Sequence, residues 1–216
     1  MKNQKNHNSL IVLEGLPFII TSGAAAVLFF SLGVFFPAAL FSVITAFIIC
    51  FFRNPERISP EDAGAVISPA DGRVIGIEDI AEHDLLRGPC KKISIFMNIF
   101  NVHVNRIPYS GKVVGVRHEK GKFLPAGLDK ASNLNEKNSV LIKTDEGKEI
   151  LTVQVAGMIA RRIVCWLKEG MYVRKGERFG LIKFSSRLEV FLPSDSTVSV
   201  KVGDKVRAGE TKIGYL

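Results

Sequence analysis

A run of 38 residues without a charged side chain, residues 15–52, constrains this chain more than any other feature of its sequence. A helix that crosses a lipid bilayer needs about 20 predominantly apolar residues, so the run can form two membrane spans or one re-entrant hairpin. Gly33 and Pro37 predict the break between its two helices. The run is much longer than the apolar region of a cleaved signal peptide, which has roughly 7–15 residues. We therefore expect an α-helical membrane hairpin between an N-terminal segment, residues 1–14, and a domain, residues 53–216.

Positive charges around this run predict the side of the membrane on which the domain lies. Lys2 and Lys5 precede the run, and Arg53 and Arg57 follow it. Because the cytoplasmic flanks of membrane helices are rich in Lys and Arg, we expect both ends of the hairpin on the cytoplasmic side of the cell membrane. The net charge is +8, almost all of it after residue 52, which favours anionic membrane lipid as a partner. No basic stretch is interleaved with exposed aromatic residues, so nucleic acid is not an expected partner.

Short apolar runs separated by glycine and charged turns continue from Ala65 to the end of the chain, and this pattern is typical of a mostly β domain. Residues 121–138 contain few apolar residues for their length and predict a long loop. The three cysteines, Cys50, Cys90 and Cys165, form no close-spaced pair. Neither a disulfide framework nor a zinc site is therefore expected.

An internal repeat predicts how the strands are arranged. Residues 170–177, Gly-Met-Tyr-Val-Arg-Lys-Gly-Glu, recur 33 positions later as residues 203–210, Gly-Asp-Lys-Val-Arg-Ala-Gly-Glu. Two copies are too few for a solenoid, which needs about three repeats or more. They favour a pseudo-symmetric barrel or sandwich of the lipoyl or biotinyl type, in which residues 185–186 lie on the strand that links the copies.

The pair Ser185-Ser186 lies between two apolar, strand-like runs and suggests a site of self-cleavage. A serine hydroxyl beside a strained peptide can attack the preceding carbonyl, and elimination from the resulting ester leaves a ketone at a new N-terminus. His103 could accept the hydroxyl proton, and Asp71 could orient the imidazole. Each of these residues alone would more often have an ordinary structural role, so the hypothesis depends on a wider sequence pattern.

Seven short motifs supply such a pattern over about three quarters of the chain. They are Phe52-Arg53-Asn54-Pro55, Ser68-Pro69-Ala70-Asp71-Gly72, Asn101-Val102-His103-Val104-Asn105-Arg106, Leu128-Asp129-Lys130-Ala131, Val155-Ala156-Gly157, Ala160-Arg161-Arg162-Ile163 and Arg178-Phe179-Gly180. In these motifs and in their order, the chain from Phe51 onward resembles the phosphatidylserine decarboxylases, in particular their short membrane-anchored form.

The resemblance implies cleavage between Ser185 and Ser186 into a β chain, residues 1–185, and an α chain, residues 186–216. The two fragments would form a heterodimer, and a higher oligomer is left open. Ser186 would become a covalent pyruvoyl group, the cofactor of the enzyme, with no metal and no pyridoxal phosphate. The family normally has glycine where this chain has Ser185. Because serine bends less freely than glycine, it could slow the acyl shift without preventing it.

The implied reaction converts phosphatidylserine to phosphatidylethanolamine through a Schiff base with the pyruvoyl ketone, with His103 as the proton donor. The substrate carries a phosphate and a carboxylate, and both bind well to cationic side chains. Arg106, Arg161 and Arg162 are candidates for substrate binding, with nothing in the sequence to rank them.

Two alternatives stay open. A membrane-tethered carrier of the lipoyl or biotinyl type would account for the repeat and for Asp129-Lys130-Ala131, although a carrier lysine belongs at a tight hairpin tip and Lys130 lies in the predicted long loop. An uncleaved, inactive relative of the decarboxylases would keep the fold without the chemistry. Self-cleavage separates the three hypotheses, because a carrier is modified on lysine and an inactive relative stays one chain.

Overall fold

The computed structural model describes residues 9–86, 88–122, 134–157, 162–183 and 186–216. The chain divides into two compact units, residues 1–56 and residues 57–216. The first unit contains helices α1, Leu16–Ser31, and α2, Phe35–Phe51. The strands of the second unit are β1 Ala65–Ile67, β2 Gly72–Ile80, β3 Cys90–Met97, β4 Val104–Arg106, β5 Gly111–Glu119, β6 Lys137–Lys143, β7 Glu149–Ala156, β8 Ile163–Cys165, β9 Tyr172–Val173, β10 Arg178–Ile182, β11 Ser186–Pro193, β12 Thr197–Val198, β13 Lys205–Val206 and β14 Lys212–Tyr215.

The first unit is an antiparallel pair of apolar helices. Gly33 lies between them with φ 73°, a left-handed conformation that glycine adopts without steric cost. Pro37 lies in the first turn of α2, where the N–H that proline lacks has no helical partner in any case. Across the pair, the Phe29 and Phe41 rings stack with their centroids 5.7 Å apart. Gly33 was correctly predicted as the break, and Pro37 follows it inside the second helix.

The lengths and surfaces of these helices bear on the predicted membrane insertion. Residues Leu13–Ser31 are long and apolar enough to cross a bilayer, judged by length and composition. Helix α2 has 17 residues and is about 26 Å long, a little shorter than the roughly 30 Å hydrocarbon core. Apolar side chains such as Phe30 and Phe36 are exposed on this unit, as lipid contact would require. The helical hairpin is confirmed, and its insertion into a membrane stays a prediction.

Eight strands of the second unit form one curled antiparallel sheet in the order β13-β2-β3-β11-β7-β6-β5-β9. Two three-stranded sheets, β1-β14-β12 and β4-β10-β8, complete the domain. One face of the large sheet carries the main core, where Ile95, Ile142, Ile150 and Leu188 are fully buried. The predicted mostly β fold is confirmed.

The domain consists of two similar halves, as the repeat predicted. In the large sheet, the strand order β13-β2-β3-β11 from one edge corresponds to β9-β5-β6-β7 from the other edge. The small sheet β1-β14-β12 corresponds in the same way to β4-β10-β8. The Val74 N–H donates to the Asp204 carbonyl at 2.9 Å, and the Val113 N–H donates to the Met171 carbonyl at 2.8 Å. Asp204 and Met171 occupy the same position of the sequence repeat. The repeat therefore marks the same edge pairing in both halves.

The loop predicted for residues 121–138 extends too far, so the prediction is wrong at its C-terminal end. Lys137 and Asn138 belong to β6, where they pair with Val155 and Gln154 of β7. Strand pairing extends to these polar residues because the adjacent end of β7 offers a full row of backbone partners. Residues 123–133 of the predicted loop lie outside the described residues.

Two glycines at equivalent positions of the halves, Gly72 and Gly111, admit no side chain. A Cβ atom at Gly111 would clash with the carbonyl oxygen of Lys143, whereas one at Gly115, in the same strand, would have no neighbour closer than 3.8 Å. We expect Gly111→Ala to lower the free energy of unfolding by about 1–3 kcal/mol, because overpacking forces the backbone apart. Gly115→Ala should change it by less than about 1 kcal/mol. Thermal unfolding of both variants in detergent solution checks this, and equal midpoints would contradict it.

Candidate active site

Ser186 is the first residue of β11 and is fully buried. Its backbone pairs with Met97 at the end of β3 on one side and with Ala156 at the end of β7 on the other. The Ser186 hydroxyl donates to the Met97 sulfur, with Oγ and Sδ 3.4 Å apart. Because a thioether is a weak acceptor, this hydrogen bond would compete little with a base for the hydroxyl proton. The other predicted cleavage residue, Ser185, lies outside the described residues.

His103 lies between β3 and β4 and is buried. Its Nδ1 atom is 2.9 Å from the carbonyl oxygen of Asn101. Since a carbonyl oxygen can only accept, Nδ1 carries the proton of the neutral ring and Nε2 keeps the lone pair. This tautomer suits a base that accepts a proton through Nε2.

Asp71 forms a buried ion pair with Arg57. The Nη1 and Nη2 atoms of the Arg57 guanidinium group donate to Oδ1 and Oδ2 of Asp71, the second at 2.9 Å. The Ala208 N–H donates to the same Oδ1 at 2.8 Å, and the Ala208 carbonyl accepts from Arg57 Nη1 at 2.8 Å. Burial lowers the pKa of Arg57, but the hydrogen bond and the charge of Asp71 outweigh burial and raise it. Arg57 therefore stays charged, and the pair holds the backbone at Ala208.

The structure joins Asp71 to Arg57 and Ala208 rather than to His103. Both oxygens of the carboxylate are occupied by these partners, and the carbonyl of Asn101 orients the imidazole. The part of Asp71 in maturation stays a prediction. No sequence signal identified Arg57, which lies 14 residues before Asp71.

The equivalent position in the other half of the domain shows which part of this arrangement the fold requires. Ser110 precedes β5 as Asp71 precedes β2, and Ser110 Oγ accepts from the Lys175 N–H at 2.9 Å. The corresponding hydrogen bond in the other half runs from the Ala208 N–H to Oδ1 of Asp71. The fold therefore needs an oxygen acceptor at this position in both halves. The ion pair with Arg57 is an additional feature of the half that contains Asp71.

The three predicted substrate-binding arginines differ in position. Arg106 is buried, donates through Nη1 to the Gly176 carbonyl at 2.8 Å and lies against Gly209. Arg162 is exposed, and its carbonyl accepts from the Lys183 N–H at 3.2 Å. Arg161 lies outside the described residues. Of the two described arginines, Arg162 is the one that solvent reaches, and Lys183, its backbone partner, precedes the predicted cleavage site by two residues.

Met97 connects the Ser186 strand to the segment that carries His103. Its sulfur, which accepts from Ser186, is also 3.8 Å from Nδ2 of Asn105. Asn105 lies two residues after His103, so an extended chain directs both side chains to the same side. The structure thus brings Ser186 and the His103 segment to one end of the sheet. Met97 was missed in the sequence because a methionine ending an apolar strand is ordinarily a core residue.

The described residues include no group of three His, Cys, Asp or Glu side chains placed to hold a metal ion together. The groups that the described part of the site offers are a buried hydroxyl, an imidazole and an arginine–aspartate pair. These groups can support nucleophilic attack and proton transfer.

Comparison with known proteins identifies the family of this chain. The phosphatidylserine decarboxylase family model matches residues 44–214. The chain is 54% identical to the phosphatidylserine decarboxylase proenzyme of Syntrophus aciditrophicus (strain SB), over 96% of the chain and 98% of that protein. It is 48% identical to the proenzyme of the same name from Geobacter metallireducens, over 98% of the chain and 99% of that protein. For the proenzyme from Desulfotalea psychrophila the identity is 46%, over 95% and 96%. The chain therefore belongs to the phosphatidylserine decarboxylase family.

Proposed function

We propose that this chain is a precursor that cleaves itself between Ser185 and Ser186 and then decarboxylates phosphatidylserine with a pyruvoyl group made from Ser186. The observation that carries the proposal is the position of Ser186. It opens a strand paired on both sides, it is fully buried, and its hydroxyl donates to the Met97 thioether. The name proenzyme, which the relatives bear, supports synthesis as a precursor.

In the proposed cleavage, Ser186 Oγ bonds to the carbonyl carbon of Ser185 while the peptide bond to the Ser186 nitrogen breaks. His103 Nε2 accepts the hydroxyl proton and returns it to the leaving nitrogen, so the ester is an isomer of the peptide. Removal of the Ser186 Cα proton then breaks the Cβ–Oγ bond and releases the β chain as a carboxylate. The dehydroalanine that remains takes up water and loses ammonia, and a ketone is left at the N-terminus of the α chain.

The surroundings of Ser186 fit a pyruvoyl group. Such a group is uncharged and has a methyl where serine has its hydroxymethyl group, so an apolar contact replaces the weak hydrogen bond to Met97, and a ketone oxygen replaces the backbone nitrogen. When present, a pyruvoyl group draws electrons from a bound amine so that carbon dioxide can leave.

The remaining roles belong to residues of the chain itself. His103, whose Nε2 holds the lone pair, would carry the proton that replaces the lost carboxylate. Arg162 is exposed and suits contact with the substrate's phosphate or carboxylate, and Arg161 is proposed for the same role. Arg106 stays a substrate-binding prediction, although its buried hydrogen bond to Gly176 favours a structural role.

Sheet pairing would hold the two fragments together. The α chain, residues 186–216, contains β11 to β14. Strand β11 pairs with β3 and β7, β13 pairs with β2, and β14 pairs with β1. All these partners belong to the β chain, so we infer a stable heterodimer. The apolar hairpin would keep the enzyme at the membrane that contains its lipid substrate, with the domain on the cytoplasmic side.

The first prediction concerns self-cleavage. Under denaturing conditions, the intact mass of the natural chain should resolve into two fragments, the smaller beginning at position 186 with a blocked, ketone-bearing end. Under native conditions the fragments should elute together, because the strand pairs remain. Ser186→Ala should stay one chain and have no decarboxylase activity.

Ser94→Ala is the matched control for this prediction. Ser94 is a buried serine of β3, and within the described residues its hydroxyl has no hydrogen-bond partner. The control should be cleaved and active like the natural chain. An uncleaved natural chain would refute the proposal, and cleavage of Ser186→Ala would move the reactive residue to Ser185.

The second prediction concerns the ion pair of Asp71. Asp71→Asn should destabilise the domain by about 3 kcal/mol and slow cleavage, because it leaves the Arg57 charge buried without its partner. The double variant Asp71→Asn/Arg57→Gln should recover most of the stability. Thermal unfolding and a cleavage time course measure the two effects.

The exposed pair of Lys212 and Asp62 provides the control, since Asp62→Asn should leave the unfolding midpoint almost unchanged. Cleavage that recovers together with stability in the double variant would support a positioning role for Asp71. Cleavage that stays slow there would indicate that Asp71 acts directly on the reaction. Native stability and native cleavage in Asp71→Asn would contradict both roles.

A further inference from the structure

A chain of buried side-chain amides runs through the core toward the Ser186 end of β11. Asn138 Nδ2 of β6 donates to Gln154 Oε1 of β7 at 3.1 Å, and Gln154 Nε2 donates to Asn105 Oδ1 of β4 at 2.8 Å. At most 2% of any of these three residues is exposed. Buried amides cost free energy unless they are hydrogen-bonded, and replacing such a set by apolar residues can be nearly neutral for stability. We therefore expect these buried amides to have a role other than stabilising the fold.

The two-fold arrangement of the domain shows that the fold does not require these amides. Gln154 lies beside the glycine of β10, and Leu192 lies in the same way beside the glycine of β14. Asn105 and Val66 pair with those same two glycines. The other half of the domain thus has leucine and valine where this half has glutamine and asparagine. Its core is as well buried, since Leu192 and Val66 are fully inaccessible.

The amide chain ends at the sulfur that holds the Ser186 hydroxyl. Because Asn105 Oδ1 accepts from Gln154, the Nδ2 end of the same amide faces the other way, toward Met97 Sδ at 3.8 Å. The Ser186 hydroxyl approaches this sulfur to 3.4 Å. A methionine side chain has three rotatable bonds and no fixed position of its own, so a second polar contact limits where the sulfur lies.

We propose that Asn138, Gln154 and Asn105 are positioning residues that hold the Met97 sulfur, and through it the Ser186 hydroxyl, in the orientation needed for self-cleavage. This inference rests on the proposed function of Ser186. The network joins β6, β7, β4, β3 and β11, so it aligns the nucleophile against the rigid centre of the sheet. The weak thioether as the last member orients the hydroxyl without competing with a base for its proton.

The experiment measures the rate of self-cleavage in chains made by cell-free synthesis and followed by the appearance of the small fragment. The test variant is Asn105→Val/Gln154→Leu, which copies the residues of the other half. We expect it to cleave about tenfold to a hundredfold more slowly, since small misplacements of reacting groups have effects of this size. Met97→Leu should slow cleavage to a similar extent.

Adding Met97→Leu to the double variant should slow cleavage little further, because residues that act through one another are not additive. Independent, multiplying effects of the two changes would overturn the inference. If the double variant fails to fold, Met97→Leu alone still tests the inference. This exchange of two apolar residues of similar volume should leave the fold intact. Native cleavage rates in Met97→Leu would overturn the inference as well.

Thr152→Val is the matched control. Thr152 is buried on the same strand and face as Gln154, and within the described residues its hydroxyl has no hydrogen-bond partner. This variant should cleave at the native rate. Native rates in every variant would refute the positioning role of the amides and leave the proposed function intact. A natural chain that does not cleave would refute the proposed function.

Discussion

The pairing of β11 between β3 and β7 is the constraint on which the rest of this structure depends. Ser186 opens that strand, and its backbone is aligned on one side by Met97 and on the other by Ala156. A residue held in this way cannot shift along the sheet without breaking two ladders of hydrogen bonds. The same pairing buries Ser186 and would retain the α fragment after cleavage. The position of Ser186 is therefore a property of the whole sheet rather than of a loop.

The domain also has a two-fold framework in which single halves carry polar groups that the other half lacks. The two halves share their strand order, their edge turns and the close approach of strand backbones at Gly72 and Gly111. They differ where an acceptor oxygen is required, because one half uses Ser110 and the other uses the Asp71 carboxylate, which also binds Arg57. They differ again in the buried amides of β4, β6 and β7. Departures from symmetry are informative here because the matched positions show what packing alone requires.

Much of the fold and part of the site followed from the sequence. The hairpin was predictable because a long uncharged run has few other solutions, and the two-fold domain was predictable because the repeat preserves its turn residues. The loop ending at Asn138 was predicted wrongly, since polar residues at a strand end look like loop residues until their partners on β7 are known. The partners of Asp71 could not be foreseen, because Arg57 and Ala208 come from distant parts of the chain.

The sequence by itself determined the helical hairpin, the mostly β domain with its two copies, and the residue types that resemble the phosphatidylserine decarboxylases. These features depend on local composition and on the order of motifs, which a linear chain displays directly. Only the tertiary structure decided that the Ser186 hydroxyl meets the Met97 sulfur, that Asn101 sets the tautomer of His103 and that Asp71 binds Arg57. Such contacts depend on strand register and on burial, and both arise only when segments far apart in the sequence pack together.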